Sequence, residues 1–545
     1  MSSSEGKWKI AYSAKVMGIH CALLHDGKVL LISYPSMHKQ GKGGDNHEGG
    51  GGGEGEEEGH QHSLLGSASH RGAWELVDPE NWTGNDRALE KNIFCGGHCF
   101  LDNGELFVSG GQYQAIHNPL LLFDPPSICN YTFNSSTEKW LLRKRTLIAR
   151  WYPSCVTLPN GGALIISGAS GIYGVKKLGA FRFVNNRLQV YYNDKGLRTL
   201  QKIPFIIDLY PFMHILPNNR IFVHSERTTR IYNHINNEWE KRPNSSSKML
   251  EINTNYEYSR TNPVQGTSVL LPLNQYDNPP YNVRIMLIGG GGESENPEID
   301  TPATETCEII DFSNGAVAAA AAAEPTWKYT TSMNFKRVMP NAILLPDGKI
   351  LVVNGCEKGK SDAGADPVLT AELFDPLNQS WTKLAQMSVK RLYHASALLL
   401  PDGRVMTAGT DKEWNKGKDI HDEYRIEVFT PPYLMEKRQP EIINVKSEIN
   451  YGENVGIECE QGGGGGGKEE VVSAALIKPS SVTHSLNTDQ RYIGLEIHEV
   501  KKNLLTVQIP NDSNIAPLGY YMLFILNKGG TPSKAKFVRI VEKSK

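Results

Sequence analysis

The sequence predicts an all-β protein: a seven-bladed β-propeller followed by an immunoglobulin-like β-sandwich. Three observations carry that expectation. A short hairpin pattern recurs along most of the 545 residues, the recurrence stops near residue 435, and short alternating apolar runs separated by turns fill the remainder.

The recurring unit is an apolar run, a Pro-Asp-Gly-like turn and a second apolar run. The copies read LLHDGKVLLIS (23–33), CFLDNGELFVSGG (99–111), TLPNGGALIISG (157–168), ILPNNRIFVHS (215–225), ILLPDGKILVVNG (343–355) and LLLPDGRVMTAG (398–409). A seventh copy, residues 268–291, carries a longer turn. Asp-Gly and Asn-Gly between apolar runs are strong hairpin signals, because their positive φ matches the twist of the strands they join. Six copies share a turn position, at Gly27, Gly104, Gly161, Asn219, Gly348 and Gly403. Further strands, often with a tryptophan (WELVDP, STEKWLL, NNEWEKR, PTWKYTT, NQSWTKL), follow within each unit. A period of about 50–60 residues with four short strands is the mark of a kelch-type propeller, and seven copies imply seven blades over residues 1–435. Residues 436–545, with runs such as VGIECE, YIGLEIHEV and YYMLFILN, suit a small immunoglobulin-like sandwich.

Composition excludes several functions. Lys plus Arg total 57 against 59 for Asp plus Glu, a net charge of -2, so no basic surface for nucleic acid is expected. No apolar run approaches the ~20 residues of a membrane span. Eight cysteines are too sparse for a disulfide scaffold, and Cys95 with Cys99 lacks a second Cys/His pair to complete a zinc tetrahedron. The glycine-rich tracts 40–62 (with His47, His60 and His62) and 462–467 read as solvated insertions, and the alanine run 317–323 as loop padding or a short helical piece. The first residues lack the apolar core of a secretory signal, and the chain is expected to be a monomer.

In a propeller the innermost strands line the axis, so equivalent positions of different repeats converge there. Nine places before the turn stand Cys95, Tyr152, Tyr210, Met339 and His394, with Tyr393 beside the last and Gly18 in the first repeat. Ordinary core positions would be Val, Leu or Ala. Propeller channels are often polar for structural reasons, but a thiol, two phenols and an imidazole at one level form a candidate site. Nitrogen and phenolate donors would suit copper(II).

The segments NIFCGG (92–97), ARWYPS (149–154), KRLYHASALLLPDGRV (390–405) and KPSSVTHSLNTDQR (478–491) resemble the copper-radical oxidases, the galactose oxidase and glyoxal oxidase family. The resemblance covers nearly the whole chain, and LYPF, KRVM and EVFTPPYL bring it closer to the glyoxal oxidase branch. It implies a copper ion held by Tyr152, Tyr393, His394 and His484, with Cys95 and Tyr152 joined in a thioether radical cofactor and Tyr393 as general base. It implies oxidation of small aldehydes, as their hydrates, or of primary alcohols, with O2 reduced to hydrogen peroxide. Trp151, Tyr173, Tyr210 and Met339 are pocket candidates. Galactose oxidase stacks a tryptophan over its thioether; the matching stretch here, SGASGIYG (167–174), has none, so Tyr173 or an aromatic from elsewhere would take that place. The family is mostly secreted, whereas no leader is visible, which leaves the compartment open. The alternative reading is a kelch scaffold that has lost catalysis and binds a protein or carbohydrate partner.

Overall fold

The computed structural model of the protein describes residues 4–34, 72–89, 92–112, 127–175, 179–242, 247–292, 298–313, 324–361, 363–412, 420–435, 438–460, 470–501 and 503–542. The tracts 40–62 and 462–467 and the alanine run 317–323 lie outside the described residues. Among the described residues there is no α-helix, and none is long and apolar enough to cross a membrane.

Seven antiparallel sheets follow the seven repeats, numbered here in the order of their inner strands. Those strands are β1 (His20–Leu23), β2 (Gly97–Phe100), β3 (Ser154–Thr157), β4 (Phe212–Leu216), β5 (Thr267–Leu270), β6 (Asn341–Leu344) and β7 (Ala395–Leu399). Each is buried at every position. This is why the repeats read as continuous apolar runs instead of alternating ones. The outermost strands face solvent, as Lys139–Leu142 does. Among the described residues no sheet closes on itself; β3 packs between β2 and β4, and β7 between β6 and β1. All six shared turn positions take positive φ, from 59° at Asn219 to 86° at Gly27 and Gly403, as the hairpin signal requires. Sheet 7 takes its fourth strand, Lys7–Ser13, from the start of the chain, paired with Arg425–Thr430.

The long turn of the seventh copy has a structural reason. Leu273–Asn274 leaves sheet 5 and pairs in parallel with Arg491–Gly494, extending a six-stranded sheet that is otherwise built from residues 448–541. That sheet and a four-stranded one (Glu441–Asn444, Asn454–Glu460, Leu504–Gln508, Glu496–Lys501) make up the C-terminal part. The repeat tryptophans 140, 239, 327 and 381 fall on fourth strands, but Trp74 lies on the third strand of sheet 1, edge-on to Phe133 at 5.3 Å.

Buried arginines tie the inner turns to their sheets. Arg337, two residues before Met339, bonds Glu372 at 2.8 Å and the carbonyls of Asn354 and Thr370, and Arg391 reaches Thr407 and the carbonyls of Gly409 and Arg425. Arg260 holds Glu308 at 2.9 Å in the same way, both side chains being fully buried. Charges so enclosed persist because every nitrogen of the fork has a partner.

Candidate metal and radical centre

Each convergent residue sits in a left-handed turn just before its inner strand. Cys95, Tyr152, Tyr210, Met339 and His394 have φ of 64°, 62°, 47°, 59° and 65°. Side chains rarely adopt this region, and non-glycine residues held there mark constrained, often functional, positions. The same turn recurs ahead of each of these five strands, which explains why a fixed offset from the hairpin finds them. The sixth residue, His484 (φ 45°), arrives differently. Strand β8 (Ser481–Thr483), from the C-terminal part, pairs with the inner edge of β1 and carries His484 at its end.

These residues meet. The hydroxyls of Tyr152 and Tyr393 are in hydrogen-bond contact. His484 stands edge-on to His394 (ring centroids 4.7 Å apart) and to Tyr152 (4.8 Å), and its Nε2 lies 3.9 Å from Cys95 Sγ. Tyr152 N–H donates to Cys95 O at 3.0 Å, so the two thioether candidates are joined through their backbones. All five are buried.

The imidazoles are held by their other nitrogens. His394 Nδ1 lies 2.5 Å from Asp411 Oδ2, and Tyr34 donates its hydroxyl to the same oxygen at 3.2 Å. His394 Nε2, on the far side of the ring, is buried with no hydrogen-bond partner among the described residues. His484 Nδ1 is 2.5 Å from Thr483 Oγ1. Burial, reinforced by the neighbouring imidazoles, pushes His484 well below the usual histidine range, which keeps its ring neutral. A neutral imidazole with its distal nitrogen anchored is the state that binds metals.

The pocket candidates separate. Trp151 stacks on the Tyr152 ring (3.7 Å, 13°), and Tyr210 stacks on it as well (4.3 Å, 24°), donating its hydroxyl to Gly96 O at 3.2 Å. Burial raises the Tyr210 phenol well above its usual range, so it stays a neutral donor. Met339 packs beside Tyr393, Leu392 and Cys356. Tyr173 lies on strand Ala169–Val175, but its side chain is outside the described residues. Trp151, one residue before Tyr152, therefore supplies an indole against that ring. Sequence reasoning missed Asp411, Thr483, His20 and His98; the last two precede Cys21 and Cys99 in the first two inner strands, but at different distances from their turns, so the repeat offset does not find them.

Among the described residues no group of three or more His, Cys, Asp or Glu side chains is arranged to hold a metal ion. The donors gathered here are two imidazoles and two phenols. Cavities of about 630 and 880 Å³ lie elsewhere, against the C-terminal sheets, and neither is lined by these donors.

Comparison with known proteins identifies the class. The family Glyoxal oxidase N-terminus matches residues 76–433, and Galactose oxidase-like, Early set domain matches residues 439–540. The protein is an oxidoreductase. More narrowly, the chain belongs to the glyoxal oxidase family. It is 27% identical to Aldehyde oxidase GLOX1 of Arabidopsis thaliana, over 86% of this chain and 74% of that one, and 27% identical to Aldehyde oxidase GLOX of Vitis pseudoreticulata, over 83% and 82%. A Galactose oxidase of Gibberella zeae is 24% identical over 85% of this chain and 64% of its own length. A solved fungal alcohol oxidase of the AA5 family, in complex with copper, shares the fold at a TM-score of 0.72 with 20% identity, covering 98% of this chain and 99% of that one.

Proposed function

We propose that this chain is a copper-radical oxidase of small aldehydes, taken as their hydrates, or of primary alcohols, with O2 as acceptor and hydrogen peroxide as product. We read its seven sheets as the blades of one propeller (residues 1–435) with the site on its axis, and residues 436–545 as the early-set sandwich that lends His484. The observation that carries the reading is the donor set: a buried, unpartnered His394 Nε2 beside a neutral His484 and two phenol oxygens in contact. Nitrogen and phenolate donors of this kind fit copper(II). The two plant relatives named aldehyde oxidases favour aldehydes.

Tyr152, Tyr393, His394 and His484 would hold the copper, which supplies one of the two oxidising equivalents and polarises the substrate oxygen. Tyr152 would hold the other as a phenoxyl radical, with the Cys95 sulfur spreading the spin. The aromatic stacking of Trp151 and Tyr210 on its ring screens it from water. Tyr393, as phenolate, takes the hydroxyl proton of the bound substrate. The balance closes: an alcohol or aldehyde hydrate loses two electrons and two protons, and O2 gains both to become hydrogen peroxide. Thioether formation closes likewise, since the Cys95 S–H and one Tyr152 ring C–H break, the S–C bond forms, and O2 takes the two electrons and two protons.

Metal-free protein treated with copper(II) in air should lose two hydrogens by intact mass and yield one linked peptide containing Cys95 and Tyr152. After oxidant activation it should release peroxide from methylglyoxal, glyoxal or a primary alcohol. Full copper loading with no peroxide from a broad panel would sink the proposal, and a pure binding scaffold would retain no stoichiometric copper.

A further inference from the structure

The turns carrying Cys95, Tyr152 and Tyr210 are strung together by their backbones. Tyr210 N–H donates to Tyr152 O at 2.9 Å, and Tyr152 N–H to Cys95 O at 3.0 Å. Continued one step back, the pattern would give the Cys95 N–H the carbonyl of Gly18. That carbonyl is taken up by Ser396 Oγ at 2.6 Å, and β8 lies against both β1 and β2. The Cys95 N–H instead donates to His20 Nε2 at 3.1 Å. An imidazole occupies the place of the next carbonyl.

The connection runs on from there. His20 Nδ1 lies 3.1 Å from His98 Nε2, and His98 Nδ1 contacts Ser481 Oγ. One arrangement of protons satisfies every ring nitrogen. His20 accepts at Nε2, so its proton is on Nδ1 and is donated to His98 Nε2; His98 then donates from Nδ1 to Ser481. Both rings are buried, so water does not substitute for either partner. Ser481 begins the strand that runs into His484.

We propose that His20 and His98 are positioning residues for the Cys95–Tyr152 thioether, and that the seating of Ser481 on His98 completes their alignment. Cys95 is held in a backbone conformation that costs a non-glycine residue free energy, so its surroundings must over-determine it. Without the His20 acceptor its buried N–H is orphaned, the turn relaxes, and Sγ drifts from the tyrosine ring. The segment that brings the second imidazole to the site thereby also sets the thiol. This inference rests on the oxidase reading, and different measurements decide the two.

The test compares full-length wild type, His20→Leu, His20→Gln and Ser481→Ala, each prepared metal-free and given copper(II) in air, with linkage followed by intact mass and peptide mapping. His20→Leu should slow linkage by about tenfold or more. His20→Gln, which keeps an acceptor for Cys95 N–H and a donor for His98, should restore most of the rate, and Ser481→Ala should fall between. Copper should stay at one ion per chain throughout, because neither histidine is a ligand in this scheme. Linkage at the wild-type rate in His20→Leu, or loss of copper from it, overturns the proposal. Should His20→Leu fail to fold, a wild-type rate in Ser481→Ala overturns it instead. Wild type that binds copper and never links would refute the oxidase reading.

Discussion

Two buried polar regions of this molecule obey opposite rules. Beneath the inner turns, Arg260 with Glu308 and Arg337 with Glu372 are ion-paired and fully enclosed, and every guanidinium nitrogen has a partner. At the convergence of those turns, the groups are imidazoles and phenols, and His394 Nε2 has no hydrogen-bond partner among the described residues. Other buried atoms also lack a partner, Arg220 Nη1 and Nη2 among them, so what sets His394 Nε2 apart is its company, a second imidazole and two phenols in contact. The mutational signatures of the two regions should therefore be inverse, stability in one region and chemistry in the other.

The sharpest break of that contrast is His394→Ala. Turnover should fall on the order of a thousandfold or more, with copper no longer retained, while the urea midpoint shifts little. A variant that keeps both copper and turnover would remove His394 from the site. Arg337→Met should do the reverse: it strands the Glu372 carboxylate and costs about 3–5 kcal/mol in urea unfolding, while the protein that remains folded still binds copper. Asp411→Asn tests the boundary between the regions. It removes the carboxylate on His394 Nδ1 and should weaken copper affinity about 10–100-fold by equilibrium dialysis, with little change in stability.

Acid should act through buried histidines away from the site as well. Burial pushes His214 and His224 down to about 3, against ~6.5 unfolded. The folded pKa is the lower one, so their contribution is complete above pH ~6.5 and is lost as pH falls from there toward 3. Each adds a slope of up to about 1.4 kcal/mol per pH unit in that window. The melting temperature should drop between pH 7 and 4, less steeply in a His214→Gln/His224→Phe variant. The smallest effect belongs to Tyr210→Phe, which loses one hydrogen bond to Gly96 O, worth about 1 kcal/mol, and keeps the ring stacked on Tyr152. Copper should be retained and the apparent KM altered; loss of copper would place Tyr210 among the ligands.

How far the sequence reaches follows from locality. The hairpin turns are written in Gly and Asn at fixed places, and nine residues before five of the six lies a left-handed turn, so Cys95, Tyr152, Tyr210, Met339 and His394 were legible from spacing alone. His484 was legible only through resemblance, because it comes from a strand added to β1 from hundreds of residues away. Asp411 was not legible: an acid after an inner hairpin looks like any loop acid until the fold brings it to His394. Trp151 was named as a pocket residue, but its stacking on Tyr152 depends on the local turn, which no periodicity reports. The parallel pairing of Leu273–Asn274 with the C-terminal sheet hid behind what read as a longer turn.

The pairing of Lys7–Ser13 with Arg425–Thr430 has a consequence for synthesis. At about 5–20 residues per second, the first strand leaves the ribosome roughly 20–80 seconds before its partner exists. His484 emerges later still. The nascent chain therefore waits with its first strand unpaired, and no fragment released early carries a working fraction of the site. Chaperone occupancy during translation, mapped along the message, should persist past codon 430 and end only after the strand leading to His484 has cleared the exit tunnel.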